Sequence, residues 1–214
     1  HEHDAIAWLR NDMPPTVEPI LPANGPILKG LVLPTVCALT NAEENGIDAE
    51  LQRLDAALAS GLRFVQIRDK RLSAEERTRC AAEVVQRCHA HGAIAVVNDN
   101  TELACRIGAD GVHLSSRTLS ACAERPDFMW VGASCHDASE LKKAADLSLD
   151  YALLGPVLPT PTHAAEPGLG WERFSELVDD CPMPVLALGG LQPTMIDLAW
   201  QSGGHGVALM RGWR

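Results

Sequence analysis

From Pro34 onward, short apolar runs rich in β-branched residues alternate with longer stretches of helical periodicity, the pattern of βα units around a parallel sheet. The predicted strands are 34–40 (PTVCALT), 63–69 (RFVQIRD), 93–99 (AIAVVND), 111–115 (GVHLS), 129–135 (MWVGASC), 151–157 (YALLGPV), 184–190 (PVLALGG) and 205–210 (HGVALM). Helical stretches such as AELQRLDAALASG and SAEERTRCAAEVVQRCHAHG lie between them; the second has its charges on one face and a glycine stop. Several strands follow Gly or Pro, as in IGADGVHL, CPMPVLALGG and SGGHGVAL, which are signals for a helix-to-strand loop. Eight strands favour a closed (β/α)8 TIM-type barrel over a doubly wound sheet, and such barrels carry their ligand sites at the C-terminal ends of the strands.

Two features depart from the regular plan. Residues 1–30 contain Pro14, Pro15, Pro19, Pro22 and Pro26 with few helix signals, so they are expected to be a linker or the tail of another domain, with the barrel occupying 31–214. Arg214 follows directly on the eighth strand, so the barrel is expected to lack its final helix. Residues 1–30 or a partner molecule should then cover apolar surface there, with Trp213 as a candidate contact.

Composition narrows the function. The 214 residues are 46% hydrophobic, enough for one main core, and carry a formal net charge of −10, which repels nucleic acid and anionic membranes. A phosphate ligand would have to be held by local cations, backbone N–H groups or a metal. There is no run of 18 apolar residues and no signal-peptide pattern, so a cytoplasmic location is expected. Seven cysteines without a C-x-x-C pair fit neither a disulfide framework nor a zinc ribbon. Cys88, His89 and His91 are read as a solvated helix end.

Polar residues gather where the strands end: Gln66, Arg68 and Lys70 at the second, Asn98 and Asp99 at the third, Ser134 and His136 at the fifth, Gly189 and Gly190 at the seventh. Gln66 and Arg68 have period-2 spacing in an apolar strand, which points both inward, where a charge needs a ligand or a partner. The long loop after the sixth strand offers the hydroxyls of Thr160 and Thr162 and the imidazole of His163 as donors to phosphate. Ordinary loop polarity and a proline-stiffened surface loop are the competing readings. Gly189 and Gly190 can let backbone N–H groups approach an anion, and Pro193 can open the next helix. Arg211, one unit later, completes a phosphate cradle or is a terminal surface charge.

In order along the chain, VQIRDK, VVNDN, GADGVHL, GASCHDASEL, DYALLGPVLPTPTH and PVLALGGL resemble the thiamine phosphate synthase and thiazole tautomerase superfamily over about 180 residues. The resemblance implies joining of hydroxymethylpyrimidine diphosphate to thiazole phosphate, with release of pyrophosphate and assistance from Mg²⁺. It implies pyrimidine diphosphate contacts at Gln66, Arg68 and Lys70, and a pyrophosphate and magnesium pair at Asn98 and Asp99, with Asp99 the metal ligand. It also implies a pyrophosphate contact at Ser134, and thiazole phosphate contacts at Thr160, Thr162 and Gly190. The catalytic set is thus Arg68, Lys70, Ser134 and His136.

Departures from the family pattern matter equally. Thr118 stands where a second magnesium carboxylate is expected, which weakens or removes the metal site; Arg117 beside it could partly replace the ion. His163 stands in place of a lysine and Arg211 in place of a serine. His136 matches the proton-transfer histidine of the tautomerases, so that activity is an alternative. A third is a non-catalytic phosphate-ligand module. HEHDAIAWL followed by PPTVEPILPANGPILKGL resembles the end of a Nudix hydrolase domain, without the Nudix catalytic box. Expected partners are small phosphorylated pyrimidine and thiazole ligands, a second copy in a homodimer, and a Nudix domain in a longer chain.

Overall fold

The structure is a computed structural model and describes residues 24–69, 71–160 and 167–213. Lys70, Thr162 and His163, and residues 1–23 of the Nudix-like tail, lie outside the described residues. The chain divides into two compact units, at Leu33 and Pro34. In the first, the described residues form one helix, α1 (Gly25–Val32), with proline in its first turn. The prolines argued against a helix here, but a first-turn proline lacks only an N–H that has no helical partner anyway.

In the second unit the described residues form eight parallel strands that close into a barrel in sequence order: β1 (Val36–Leu39), β2 (Phe64–Ile67), β3 (Ile94–Asn98), β4 (Gly111–Leu114), β5 (Trp130–Cys135), β6 (Tyr151–Leu154), β7 (Val185–Leu188) and β8 (Gly206–Leu209). Each lies within its predicted range. Closure comes from β1 pairing with β8 at Cys37 and Ala208. Outside the barrel run α2 (Ala42–Asn45), α3 (Ile47–Ala59), α4 (Ala74–Ala90), α5 (Thr101–Ile107), α6 (Ser116–Ala121), α7 (Ala138–Asp146), α8 (Gly170–Val178) and α9 (Ile196–Gln201). Among the described residues no helix follows β8.

Alternate residues of each strand have different tasks. Ala38, Val65, Ile67, Ala95, Val97, Val112, Leu114, Val131, Ala133 and Ala152 pack outward in one core with the helices. That core takes the face of α4 bearing Cys80, Ala81, Val84, Val85 and Cys88, spaced three to four residues apart as an amphipathic helix requires. A capping box fixes where α4 begins: Ser73 accepts from the Glu76 N–H, and the Glu76 carboxylate accepts from the Ser73 N–H.

The other residues fill the barrel interior, large against small. Phe64 meets the Tyr151 ring edge-on at 5.1 Å, and His113 lies 5.6 Å from the same ring. Gly132 on β5 leaves the space that ring occupies: a Cβ there would sit 2.1 Å from Tyr151 Cζ. This packed interior closes the barrel from below, so that only its upper layer faces the mouth.

Trp213, a candidate contact for residues 1–30 or a partner, is buried, and its described contacts lie in the barrel unit. Its indole Nε1 donates to Leu39 O at 3.2 Å and Met210 O at 3.1 Å, and the Arg53 guanidinium lies 3.7 Å over its ring. Arg53 in turn donates to the buried Glu50 at 2.9 Å, which accepts from the Asn41 N–H at 2.8 Å. The segment after β8 is thereby fastened to α3 and to the end of β1.

Candidate active site

Two hydrogen-bonded groups of polar side chains lie near the mouth, one at the ends of β2 and β3 and one on β4 to β6. Gln66, in the last full turn of the pleat in β2, is 1% exposed and donates through Nε2 to Asn98 Oδ1 at 3.0 Å. Asn98 Nδ2 donates to Asp99 Oδ2 at 2.8 Å, and the other oxygen of Asp99 accepts from the Ser115 N–H at 2.7 Å. Asp99 has φ 57, a left-handed conformation that Asp tolerates better than most residues, while its N–H donates to His113 O at 2.9 Å. Strain of this kind, of order 1 kcal/mol or more, is held where the surroundings over-determine the backbone.

Below Asp99, His113 joins two further strands. Its Nε2 is 2.9 Å from Ser134 Oγ on β5, and its Nδ1 is 3.1 Å from the Tyr151 hydroxyl on β6. Burial raises the Tyr151 phenol well above its ordinary range, so the phenol is neutral. Neither His113 nor Tyr151 was singled out from the sequence. The signal was present in GVHL, where His113 alternates with the outward Val112 and Leu114 and must therefore face the interior.

Arg68 departs from the expectation. The strand ends at Ile67, and Arg68 is exposed one residue beyond it, its N–H donating to Thr40 Oγ1 at 2.9 Å. Period-2 spacing held for Gln66 but ran out with the ladder before Arg68. The buried carboxylate at this strand end is Asp69, which accepts from Thr40 Oγ1 at 2.5 Å and from the Ala42 N–H at 2.6 Å. Burial raises its pKa against those two hydrogen bonds. Asp69 thus pins the β2 loop to the β1 loop, a function missed because the carboxylate was read only as the end of a strand.

On the far side of the mouth, the loops after β6 and β7 are joined. Val157 N–H donates to Leu188 O at 2.8 Å and Leu158 N–H to Gly189 O at 3.1 Å. Gly190 has φ 69, and a Cβ there would lie 2.7 Å from Leu158 Cβ and 2.8 Å from Pro159 O, so no other residue fits without displacing the loop that bears the half-buried Thr160. Pro193 opens a short 3₁₀ turn, Pro193–Met195, before α9. Arg211 is exposed and donates to Glu44 on α2 at 2.8 Å; its guanidinium links the loops after β8 and β1.

His136 is exposed, with Nδ1 2.9 Å from Glu140 Oε2, one helical turn away on α7. The remaining nucleophile-type side chain of the interior, Cys37, is driven to high pKa by burial and stays a thiol. His89 pairs with Asp110 at 3.1 Å and His91 with Arg87 O at 3.0 Å.

The magnesium that the sequence resemblance implies can be tested against these donors. Asp99 supplies one carboxylate, both of whose oxygens already accept hydrogen bonds. Thr118 supplies a neutral hydroxyl, 3.1 Å from Ser115 Oγ. Among the described residues no group of three His, Cys, Asp or Glu side chains converges as a metal site. This donor set does not fit a two-carboxylate magnesium site, because a hard dication needs more anionic oxygen than one engaged carboxylate gives.

Residues 36–213 match the family model described as thiamine monophosphate synthase. The chain belongs to that family. It is 38% identical over 163 residues to a thiamine biosynthesis bifunctional protein of Symbiobacterium thermophilum, covering 73% of this chain and 34% of the relative. It is 34% identical over 164 residues to a thiamine-phosphate synthase of Nostoc punctiforme, covering 75% and 47% respectively. The chain thus spans half or less of the length of these relatives. A thiamine phosphate pyrophosphorylase structure from Pyrococcus furiosus superposes with a TM-score of 0.68 at 22% identity, covering 82% of this chain and 85% of that one, which establishes the shared barrel fold. For this member of the family, Gln66, Asn98, Asp99, Ser134 and Gly190 all stand at the C-terminal ends of their strands.

Proposed function

We propose that this barrel joins hydroxymethylpyrimidine diphosphate to thiazole phosphate, forming thiamine phosphate and releasing pyrophosphate. The observation that carries this reading is Gln66: its Oε1 is buried at the mouth and has no hydrogen-bond partner among the described residues. A buried acceptor of this kind is costly unless a ligand supplies the donor, and the ring amino group of an aminopyrimidine is such a donor.

The chemistry needs little acid–base machinery. The bond between the pyrimidine methylene carbon and the diphosphate oxygen breaks, with its electron pair leaving on pyrophosphate. The thiazole nitrogen lone pair then forms the new C–N bond to the methylene carbon. This chain's residues orient the pyrimidine through Gln66 and Asn98 and supply donors to the departing anion through Ser134 and the exposed guanidinium of Arg68. The joined loops bearing Thr160, Gly189 and Gly190 take the thiazole phosphate. With one carboxylate at Asp99, we expect the Mg²⁺ requirement to be weaker than that of a two-carboxylate site, with exposed Arg117 carrying part of the charge. Lys70, Thr162 and His163 extend the same set on sequence grounds.

Among the described residues no helix is long and apolar enough to cross a membrane. The free cysteines support a reducing, cytoplasmic setting for this activity. A homodimer and a preceding Nudix-like domain remain part of the proposal on sequence grounds. Calorimetric titration with hydroxymethylpyrimidine diphosphate tests the reading: Gln66→Met and Arg68→Ala should each weaken binding about tenfold, as expected for one hydrogen bond or charge contact. Unchanged binding in both variants would remove its basis. A thiazole tautomerase is the second reading, favoured by the His136–Glu140 pair; it requires turnover of a thiazole phosphate alone, abolished in His136→Gln.

A further inference from the structure

We propose that Tyr151 and His113 are positioning residues that fix Ser134 as a hydrogen-bond donor to an anionic ligand at the mouth. The proposal rests on the reading that the mouth binds a diphosphate, and it follows from where the protons in this three-residue chain can go.

Tyr151 is fully buried, and its hydroxyl has a single hydrogen-bond partner among the described residues, His113 Nδ1 at 3.1 Å. The hydroxyl has one proton to donate. If Nδ1 carried a proton, the phenol would have to accept it, and the phenolic O–H would then point into apolar surroundings with no acceptor. An unsatisfied buried donor disfavours that arrangement by roughly tenfold to a hundredfold. An imidazolium ring meets the same objection, because its Nδ1 carries a proton as well.

The remaining arrangement has Tyr151 donating to a bare Nδ1. His113 then carries its proton on Nε2 and donates it to Ser134 Oγ, 2.9 Å away. Ser134 accepts, so its own O–H proton is not used by the ring and finds no other acceptor among the described residues. Ser134 is partly exposed at the mouth, and that proton is left for an oxygen of the bound anion. The opposite tautomer would make His113 a base toward the serine and Ser134 a nucleophile. The barrel interior therefore selects between two chemistries through one phenol, and it selects the donor. Gly132 contributes by leaving room for the Tyr151 ring.

The test uses the whole chain labelled with ¹⁵N at histidine, with the His113 signals identified by their loss in His113→Gln. Long-range ¹H–¹⁵N spectra should show a protonated Nε2 and an unprotonated Nδ1. Tyr151→Phe keeps the ring and removes the lock, and should give a mixture of tautomers, a change that loss of packing alone would not produce. Titration with inorganic pyrophosphate should show about tenfold weaker binding in Tyr151→Phe and in Ser134→Ala, with no further loss when both are combined. A protonated Nδ1 in the unmodified chain, or losses that add in the double variant, would overturn the proposal. Absence of pyrophosphate binding in the unmodified chain would count against the diphosphate reading, and the tautomer spectra would still decide the proton arrangement.

Discussion

Gln66 donates through Nε2 to Asn98 Oδ1 at 3.0 Å while the Oε1 of the same amide is buried without a partner among the described residues. One carbonyl left in this state costs about 1–3 kcal/mol, which places ligand binding and stability in opposition. Gln66→Met removes the orphaned acceptor at nearly constant volume but also the donor to the half-buried Asn98 Oδ1, so the two effects oppose and stability should change by no more than about 1 kcal/mol while ligand affinity falls. Denaturant unfolding and calorimetry on the same preparation measure both halves.

Gly132 is expected to be among the least replaceable residues of the interior. A Cβ at this position would meet the Tyr151 ring at 2.1–2.4 Å, and Phe64 and His113 hold that ring on other sides. Gly132→Ala should destabilise the barrel by about 2–4 kcal/mol, toward the upper end for overpacking, read as a lower denaturation midpoint with little change in slope.

The start of α7 gives a pH-dependent test. The Asp137 carboxylate accepts from the Ser139 hydroxyl at 2.6 Å and from the N–H groups of Ser139 and Glu140 at 2.8 and 3.0 Å. The Ser139 hydroxyl first, and then the Glu140 N–H, hold its pKa below the ordinary value of 3.8. A depressed carboxylate contributes stability that is complete above its unfolded pKa and is lost as pH falls through the folded one. Asp137→Ala should therefore cost about 1 kcal/mol near neutrality, and the difference between the two proteins should shrink in acid. A constant difference from neutral pH down through the depressed pKa would argue against a charge-assisted cap.

Thr118→Asp should supply a carboxylate where the family pattern has a second magnesium ligand. The expected result is a roughly tenfold lower Mg²⁺ concentration for half-maximal turnover, checked by a magnesium titration of initial rate in parallel with the unmodified chain. An unchanged titration would show that Thr118 does not stand at a latent metal position.

Much of the fold was legible because barrel strands are short and bounded by turn residues, so all eight strands found among the described residues fall inside their predicted ranges. Gln66 was legible for the same reason: period-2 alternation fixes a side, and a polar residue on the inner side is conspicuous. Arg68 was not, because alternation cannot show where the ladder ends, and Asp69 was hidden by the tertiary contact with Thr40 that gives it its role. The His113–Tyr151 pair joins β4 to β6 across the interior, a proximity set by barrel closure that no local pattern records. Trp213 was read as a contact for residues 1–30 or a partner because its cover, Arg53 held by Glu50 three residues earlier on α3, lies far from it in sequence.

The central claim is that the mouth of this barrel joins a pyrimidine diphosphate to a thiazole phosphate. Single-turnover mixing of the chain with hydroxymethylpyrimidine diphosphate and thiazole phosphate, followed by chromatography for thiamine phosphate and pyrophosphate, tests it most directly. The account predicts equal amounts of the two products, formed only when both substrates are present and strongly reduced in Gln66→Met and Ser134→Ala. Binding of both ligands with no thiamine phosphate formed at any Mg²⁺ concentration would contradict it and leave a ligand-binding barrel in its place.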